Sequence, residues 1–152
     1  MALTYLALGS NLGDGPVMLR MALSMISVHV GRVLAQSDMI QSEPWGFESQ
    51  HPFTNAVCAV RTELTPMQLL SVTQKIEYQM GRTHKHAPGE PYRDRIIDID
   101  ILTYDDLNIQ TEELTIPHPH MKERDFVMTP LLQCQDRLAH QSRGRGRPRR
   151  TE

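Results

Sequence analysis

The sequence has no apolar run that approaches the ~20 residues that a helix needs to cross a bilayer. Cysteine is also scarce, because the 152 residues include only Cys58 and Cys134. Their spacing does not suit a metal site and does not imply an oxidising compartment, so we expect two small core residues rather than a disulfide. Segment 1–15 lacks a basic leader and a small-residue cleavage site, and we therefore expect a cytoplasmic protein with no membrane partner.

Three nucleotide and metal motifs are also missing. The phosphate-binding pattern GxxxxGK[ST] does not occur, and no GxGxxG follows a predicted strand, which excludes Walker-type NTPases and Rossmann proteins. Two HxH pairs are present, but neither has a nearby cysteine or third carboxylate that would complete a zinc site. Phosphate chemistry, if present, must therefore use another arrangement.

Charge is distributed unevenly along the chain. The net charge is -2, with histidine neutral, yet the last ten residues contain five arginines and one glutamate. The rest of the chain is therefore acidic and a poor general binder of nucleic acid, so nucleic-acid binding is expected only through the tail, if at all. We predict one domain over residues 1–135 and an Arg-rich, disordered tail over 136–152, where large apolar side chains are almost absent.

Hydrophobic periodicity and turn signals predict a β-α-β-β-α-β order of elements. Asp14 beside Pro16 favours the start of the first helix, while Thr65-Pro66 and Gly81 bound the second. A short apolar helix is expected over 126–132. The predicted elements are strands over 4–8, 32–40, 55–62, 95–104 and 114–116, and helices from about 17 and from 66. This order predicts an α+β fold, a ferredoxin-like antiparallel sheet with two helices packed on one face.

The segment RIIDIDIL carries the clearest chemical signal. Side chains alternate along a strand, so Asp98 and Asp100 point to one side and the isoleucines to the other, with the two aspartate Cα atoms roughly 7 Å apart. Like charges on one face repel each other, and a hard cation such as Mg²⁺ removes the repulsion while leaving room for phosphate oxygens. The alternative is a half-exposed strand with two solvated aspartates.

Basic residues surround this acidic pair, and they favour phosphate binding over isolated surface salt bridges. Arginine forks and lysine ammonium groups suit phosphate oxygens, and a metal facing several cations is typical of phosphoryl transfer. His118 could also donate to a phosphate. The basic residues are Arg82, Lys85, Arg93, Arg95, Lys122 and Arg124.

Several separated motifs resemble those of the hydroxymethyldihydropterin pyrophosphokinase family of folate biosynthesis. They are GSNLGD, SEPWGF, FTNAV, QKIEYQMGR, RIIDIDI and IPHPHMKERDF, which follow in order between Thr4 and Leu132. The resemblance implies transfer of pyrophosphate from ATP to the hydroxymethyl group of a reduced pterin, with AMP released. It also implies that Asp98 and Asp100 hold two Mg²⁺ ions, and that Arg82 and Arg95 stabilise charge on the transferred group.

The resemblance also implies the residues that contact each substrate. Phe53 and Phe126 would stack on the pterin, and an amide such as Asn55 suits its edge because it both donates and accepts. Backbone groups of Glu43, Pro44 and Trp45 would complete that edge. The implied ATP contacts are Gln74, Glu77, Arg82, Lys85, Tyr92, Arg95, Ile101, Thr115, His118 and Arg124.

The loop from Thr83 to Asp94 would act as a lid over the phosphates, and Tyr92 stands there where the family often has a tryptophan. We expect a monomer. Two other hypotheses remain: a ferredoxin-like nucleotide- or nucleic-acid-binding module without turnover, whose Arg/Gly tail contacts phosphate backbones, and a non-catalytic relative that binds ATP without forming AMP.

Overall fold

The structure, a computed structural model, describes residues 1–43, 51–81 and 96–145. Its described strands form a five-stranded antiparallel sheet and a separate two-stranded hairpin. The sheet strands are β1 (Ala2–Ser10), β2 (Gly31–Gln36), β3 (Ile40–Ser42), β4 (Phe53–Thr62) and β5 (Asp98–Tyr104), and the hairpin strands are β6 (Ile109–Gln110) and β7 (Thr115–Ile116). The helices are α1 (Gly15–His29), α2 (Pro66–Gln79) and α3 (Asp125–Arg145). The predicted ferredoxin-like α+β fold is thereby confirmed.

The strand order β2-β4-β1-β5 places β1 and β4 at the centre of the sheet. Both β2 and β3 pair with the same edge of β4, β2 along its second half and β3 along its first residues. Alternating residues of β4 are buried on both faces. Ala56, Cys58 and Val60 join the core under α1 and α2, whereas Val57 and Ala59 join a second cluster under α3. The sheet is therefore covered by helices on both faces.

Local signals bound the first two helices as the sequence predicts. The Asp14 side chain accepts a hydrogen bond from the N–H of Val17 and caps α1. Thr65 and Gln68 form a reciprocal capping box at the start of α2, and Gly81 follows its end at a φ of 104°. Both helices bury a leucine and an isoleucine completely against the sheet, and each such side chain contributes about 1.5–3 kcal/mol.

Two expectations about where elements end are wrong. The predicted strand over 32–40 is two strands, because the regular ladder of β2 ends at Gln36. The N–H of Ser37 still donates to the carbonyl of Val57, but it is the Ser37 hydroxyl that accepts the N–H of Val57. The helix expected over 126–132 runs on to Arg145, so residues 136–145 are helical rather than disordered. The second half of α3 is stabilised by packing, because Cys134 is fully buried and Leu138 packs on the second cluster. Residues 146–152 of the predicted tail lie outside the described residues.

Both cysteines are free and buried, as predicted. Within the described residues, no helix combines the length and apolarity that crossing a membrane requires.

A polar contact fastens α3 to the end of β2. Arg137 donates from one guanidinium nitrogen to the carbonyl of Gln36 and from another to Oδ1 of Asp38, both at 2.8 Å. Gln133 donates to Oδ2 of Asp38 at 3.0 Å and accepts its N–H at 2.7 Å. Hydrogen bonds from Arg137 and then Gln133 lower the pKa of Asp38 below its usual 3.8.

This contact predicts a pH-dependent contribution to stability. Because the pKa of Asp38 is lower in the folded protein than in the unfolded chain, the contribution is present above pH 3.8 and is lost as the pH falls through the folded pKa. Asp38→Asn should therefore unfold at lower urea than wild type at pH 7, and the gap should close at acidic pH. Asp106→Asn, at an exposed turn aspartate, is the control. A gap of equal size at every pH would contradict the assignment.

Candidate functional site

A cavity of about 400 Å³ opens beside the end of the sheet where β1, β4 and β5 meet. Side chains from the start of β4, the start of β5, the segment after β7 and the start of α3 converge on it. The predicted site residues among its lining are Glu43, Phe53, Asn55, Asp98, Asp100, Ile101, Thr115, His118, Arg124 and Phe126. The cavity therefore joins residues predicted for the pterin with residues predicted for the metal and ATP.

Strand register explains this convergence. Gly9 in β1 pairs with Asn55 in β4 on one side and with Asp98 in β5 on the other. Two strand spacings therefore separate Asn55 from Asp98, about 10 Å across the sheet. A Cβ at Gly9 would lie 3.4 Å from Oδ1 of Asn55 and 3.6 Å from the Phe53 ring. Because Gly9 has no side chain, it leaves the cavity open between Asn55 and Asp98.

The aspartate pair faces the cavity as the alternation predicts. Ile97, Ile99 and Ile101 are buried in the core, whereas Asp98 and Asp100 are partly exposed on the opposite face. No cluster of three or more possible metal ligands occurs within 1–43, 51–81 and 96–145. Two carboxylates nevertheless fit Mg²⁺, which is commonly held by one or two carboxylates with waters and phosphate oxygens.

His118 lies beside the aspartates and has a defined orientation. Its backbone N–H donates to the Leu102 carbonyl at 2.9 Å, which ties it to β5. The N–H of His120 donates to Nδ1 of His118 at 3.3 Å, so the proton of the neutral ring is on Nε2, which lies 3.8 Å from Oδ2 of Asp100. Burial lowers the pKa of His118, with a smaller effect in the same direction from Arg124, although Asp100 and Asp98 oppose it. The ring therefore acts as a neutral N–H donor.

Aromatic and amide side chains also line the cavity. Phe53 is buried at the start of β4, and Phe126 is partly exposed in the first turn of α3. The guanidinium carbon of Arg124 lies 5.7 Å from the centre of the Phe126 ring, close enough for a cation–π contact. Asn55 is buried and lines the same cavity. The arrangement suits a flat ring with polar edges.

Two predicted ATP residues do not line the cavity. Gln74 is exposed on α2, whereas Glu77 is only 2% exposed and accepts the N–H of Ile99 at 2.8 Å. That N–H lies between Asp98 and Asp100 along β5, so Glu77 holds the strand that carries them. Their direct role in ATP binding stays a prediction.

Other predicted residues lie outside the described residues. They are Pro44 and Trp45, the lid from Thr83 to Asp94 with Lys85 and Tyr92, and the two arginines Arg82 and Arg95. Their roles stay predictions.

Some lining residues were missed by the sequence reasoning. Gly9 and Leu70 contribute shape rather than reactive groups, and Glu112 and Glu113 belong to the short turn between β6 and β7. Only Gly9 carried a usable signal, since it begins the GSNLGD turn. His120 belongs to an HxH pair that fits no zinc site, and its role is to orient His118 through its backbone N–H.

Fold and site together define a ferredoxin-like α+β protein whose cavity contains paired carboxylates as well as aromatic and amide side chains. The family model of 7,8-dihydro-6-hydroxymethylpterin-pyrophosphokinase (HPPK) matches residues 5–136. The chain belongs to this family.

Named relatives agree with this membership. A 2-amino-4-hydroxy-6-hydroxymethyldihydropteridine pyrophosphokinase of Porphyromonas gingivalis is 53% identical over 132 residues, covering 86% of this chain and 89% of that protein. The protein of the same name from Bacillus subtilis is 40% identical over 135 residues, covering 88% and 78%. Folic acid synthesis protein fol1 of Schizosaccharomyces pombe is 40% identical, but this chain spans only 18% of its length.

Solved structures show the same fold. A crystal structure titled as HPPK-DHPS in complex with substrates superposes with a TM-score of 0.71 at 15% identity, covering 87% of this chain and 40% of that one. Wild-type Plasmodium falciparum HPPK-DHPS with pteroate gives 0.69 at 16% identity, covering 87% and 38%. At these identities the likeness supports the fold alone.

The contact between Glu77 and β5 predicts a matched pair of stability effects. Glu77→Ala removes the acceptor that the Ile99 N–H uses, and we expect a loss of about 1–3 kcal/mol in the free energy of unfolding. Glu77→Gln keeps an amide oxygen in place and should retain most of the stability. Gln74→Ala, exposed on the same helix, should change it by less than ~0.5 kcal/mol. Urea unfolding measures all three, and equal stability of the Ala and Gln variants at position 77 would refute the contact's role.

Proposed function

We propose that the chain transfers the pyrophosphoryl group of ATP to the hydroxymethyl group of 6-hydroxymethyl-7,8-dihydropterin, giving AMP and the pterin diphosphate in folate synthesis. Family membership over residues 5–136 and the names of relatives up to 53% identical support this activity. In the geometry, the supporting observation is a single cavity that contains Asp98 and Asp100 at one side and Asn55 with Phe53 at the other.

Release of AMP defines which bonds change. The hydroxymethyl oxygen attacks the β-phosphorus, the bond from that phosphorus to the oxygen of the α-phosphate breaks, and the hydroxyl loses its proton. Asp98 and Asp100 would hold Mg²⁺, two ions in our proposal, as their shared face and partial exposure allow. When bound, Mg²⁺ neutralises phosphate charge and lowers the pKa of the attacking hydroxyl.

The pterin occupies the aromatic side of the cavity in this proposal. Phe53 and Phe126 stack on the ring, and Asn55 bonds its polar edge. The separation of about 10 Å between Asn55 and Asp98 leaves room for the ring, with its hydroxymethyl group directed over Gly9 toward the aspartates. Side chains at these positions orient the acceptor rather than react with it.

ATP occupies the other side. The cavity is lined by His118, Arg124 and Thr115, and in this proposal all three contact ATP. The neutral ring of His118 and the guanidinium of Arg124 would donate hydrogen bonds to phosphate oxygens. The side chain of Ile101 is in the core, so its contribution comes from the backbone. Since the N–H of Ile99 is directed away from β1, the alternation of an antiparallel ladder directs the backbone of Ile101 to the same outer edge.

The remaining predicted ATP residues complete this proposal. Lys85 and Tyr92 of the lid would contact ATP, and Arg82 and Arg95 would stabilise charge on the transferred group. Gln74 and Glu77 would contribute further contacts with ATP. A cytoplasmic, monomeric enzyme without a nucleic-acid partner also stays a prediction. Family membership disfavours a binding module without turnover.

The product of ATP consumption tests the proposed function directly. The protein is incubated with ATP, Mg²⁺ and 6-hydroxymethyl-7,8-dihydropterin, and the nucleotides are separated. We expect AMP to form in equal amount to the pterin diphosphate, and only when the pterin is present. ADP as the product would mean transfer of one phosphoryl group, and nucleotide binding without any product would favour the binding-module hypothesis.

The aspartate pair gives a second test. Asp98→Asn and Asp100→Asn keep the shape of each side chain but remove a charge that holds Mg²⁺, so turnover should fall by about 100-fold or more. Unfolding midpoints should not fall, because each variant relieves repulsion between like charges. Asp106→Asn is the control for loss of one exposed carboxylate. Activity within a few-fold of wild type in both site variants would remove the pair from the mechanism.

A further inference from the structure

We propose that Ser42 is a positioning residue: it orients the amide of Asn55 so that Oδ1 faces the cavity and accepts a hydrogen bond from an N–H edge of the bound ring. The inference rests on the proposed function in one respect, namely that the ring is a pterin. The Ser42 hydroxyl itself acts through Asn55 and need not touch the substrate.

Strand pairing brings the two side chains together. β3 pairs with β4 so that Ile40 lies opposite Asn55 and Ser42 lies opposite Phe53. The amide nitrogen of Asn55 donates to Oγ of Ser42 at 2.8 Å. It also lies 3.5 Å from the carbonyl oxygen of Ile40 and 3.4 Å from that of Phe53.

These neighbours determine which end of the amide points where. Backbone carbonyl oxygens only accept hydrogen bonds, so the NH₂ group must face them and the amide oxygen must face away. The reverse orientation would place three oxygens against Oδ1, of which only the Ser42 hydroxyl could donate. Asn55 is 5% exposed, so an amide in the wrong orientation would leave buried polar groups without hydrogen bonds, which is unfavourable.

Oδ1 consequently points toward the space above Gly9. A Cβ on Gly9 would lie 3.4 Å from this oxygen, and Gly9 and Asn55 both line the cavity. A ligand in that space therefore meets an acceptor. The reduced pterin has N–H donors on its pyrimidine edge, at the ring nitrogen and the exocyclic amino group, and these match the acceptor.

The prediction concerns affinity for the ring alone. Ser42→Ala removes the strongest hydrogen bond that fixes the amide, so the Kd for the pterin should rise by about 3- to 10-fold, the effect of one neutral hydrogen bond. The Kd for a non-hydrolysable ATP analogue with Mg²⁺ should not change. Ser42→Thr keeps the hydroxyl on a β-branched side chain suited to a strand and should bind like wild type.

A double-mutant cycle with Asn55→Ala separates positioning from an independent contact. If Ser42 acts through Asn55, Ser42→Ala has no further effect on pterin Kd in the Asn55→Ala background. Additive effects of the two changes, or an equal rise in the Kd for the ATP analogue, would overturn the proposal. The unfolding midpoint of each variant is compared with that of the wild type, to show whether a variant binds the pterin weakly because it is less stably folded.

The readout also distinguishes this inference from the proposed function. The test of Ser42 measures binding and not turnover. If the pterin Kd values change as expected but no AMP forms, the role of Ser42 is upheld and the proposed pyrophosphoryl transfer is rejected. AMP formation with a weakened Asn55→Ala variant but an unaffected Ser42→Ala variant would reject the role of Ser42 alone. Failure of the wild-type protein to bind the pterin would overturn both.

Discussion

The register of β5 against β1 is the constraint on which the cavity depends. Side chains of a strand alternate strictly, so the isoleucines can be buried in the core only if the aspartates between them face the other way. A slip of one residue would put two carboxylates in the core and three isoleucines in the cavity. Burial of Ile97, Ile99 and Ile101 therefore stabilises the fold and aims the aspartates at the same time.

The outer side of β5 is fixed by two contacts from different elements. Glu77 of α2 accepts the N–H of Ile99, and the N–H of His118 donates to the carbonyl of Leu102. The second contact also places the imidazole next to Asp100. One strand thus orients a carboxylate pair and a neutral donor, with no need for a flexible loop to bring them together.

The features of the fold and site that depend on nearby residues could be predicted from the sequence. Alternation located the aspartates, and the cap residues Asp14 and Thr65 located two helix starts, because each signal depends on neighbours a few positions away. The second half of α3 was mispredicted because its support is distant: Arg137 binds Asp38, 99 positions away, and Cys134 is buried against the far side of the sheet. The orientation of Asn55 was also out of reach, since it depends on the pairing of β3 with β4.

The charge of the described lining bears on how ATP would bind in the proposed function. Carboxylates dominate the wall, at Glu43, Asp98, Asp100, Glu112 and Glu113, whereas Arg124 is the only arginine or lysine among the described lining residues. Free ATP, an anion, would meet like charge there. In the proposed function, a Mg²⁺ ion held by the aspartates would reverse that interaction, because the charge of a bound cation outweighs its neighbours and would attract carboxylates and phosphates alike. The acidic pair would then favour the metal-bound nucleotide as well as hold the ion, so that its charge, and not only its shape, would matter for the transfer.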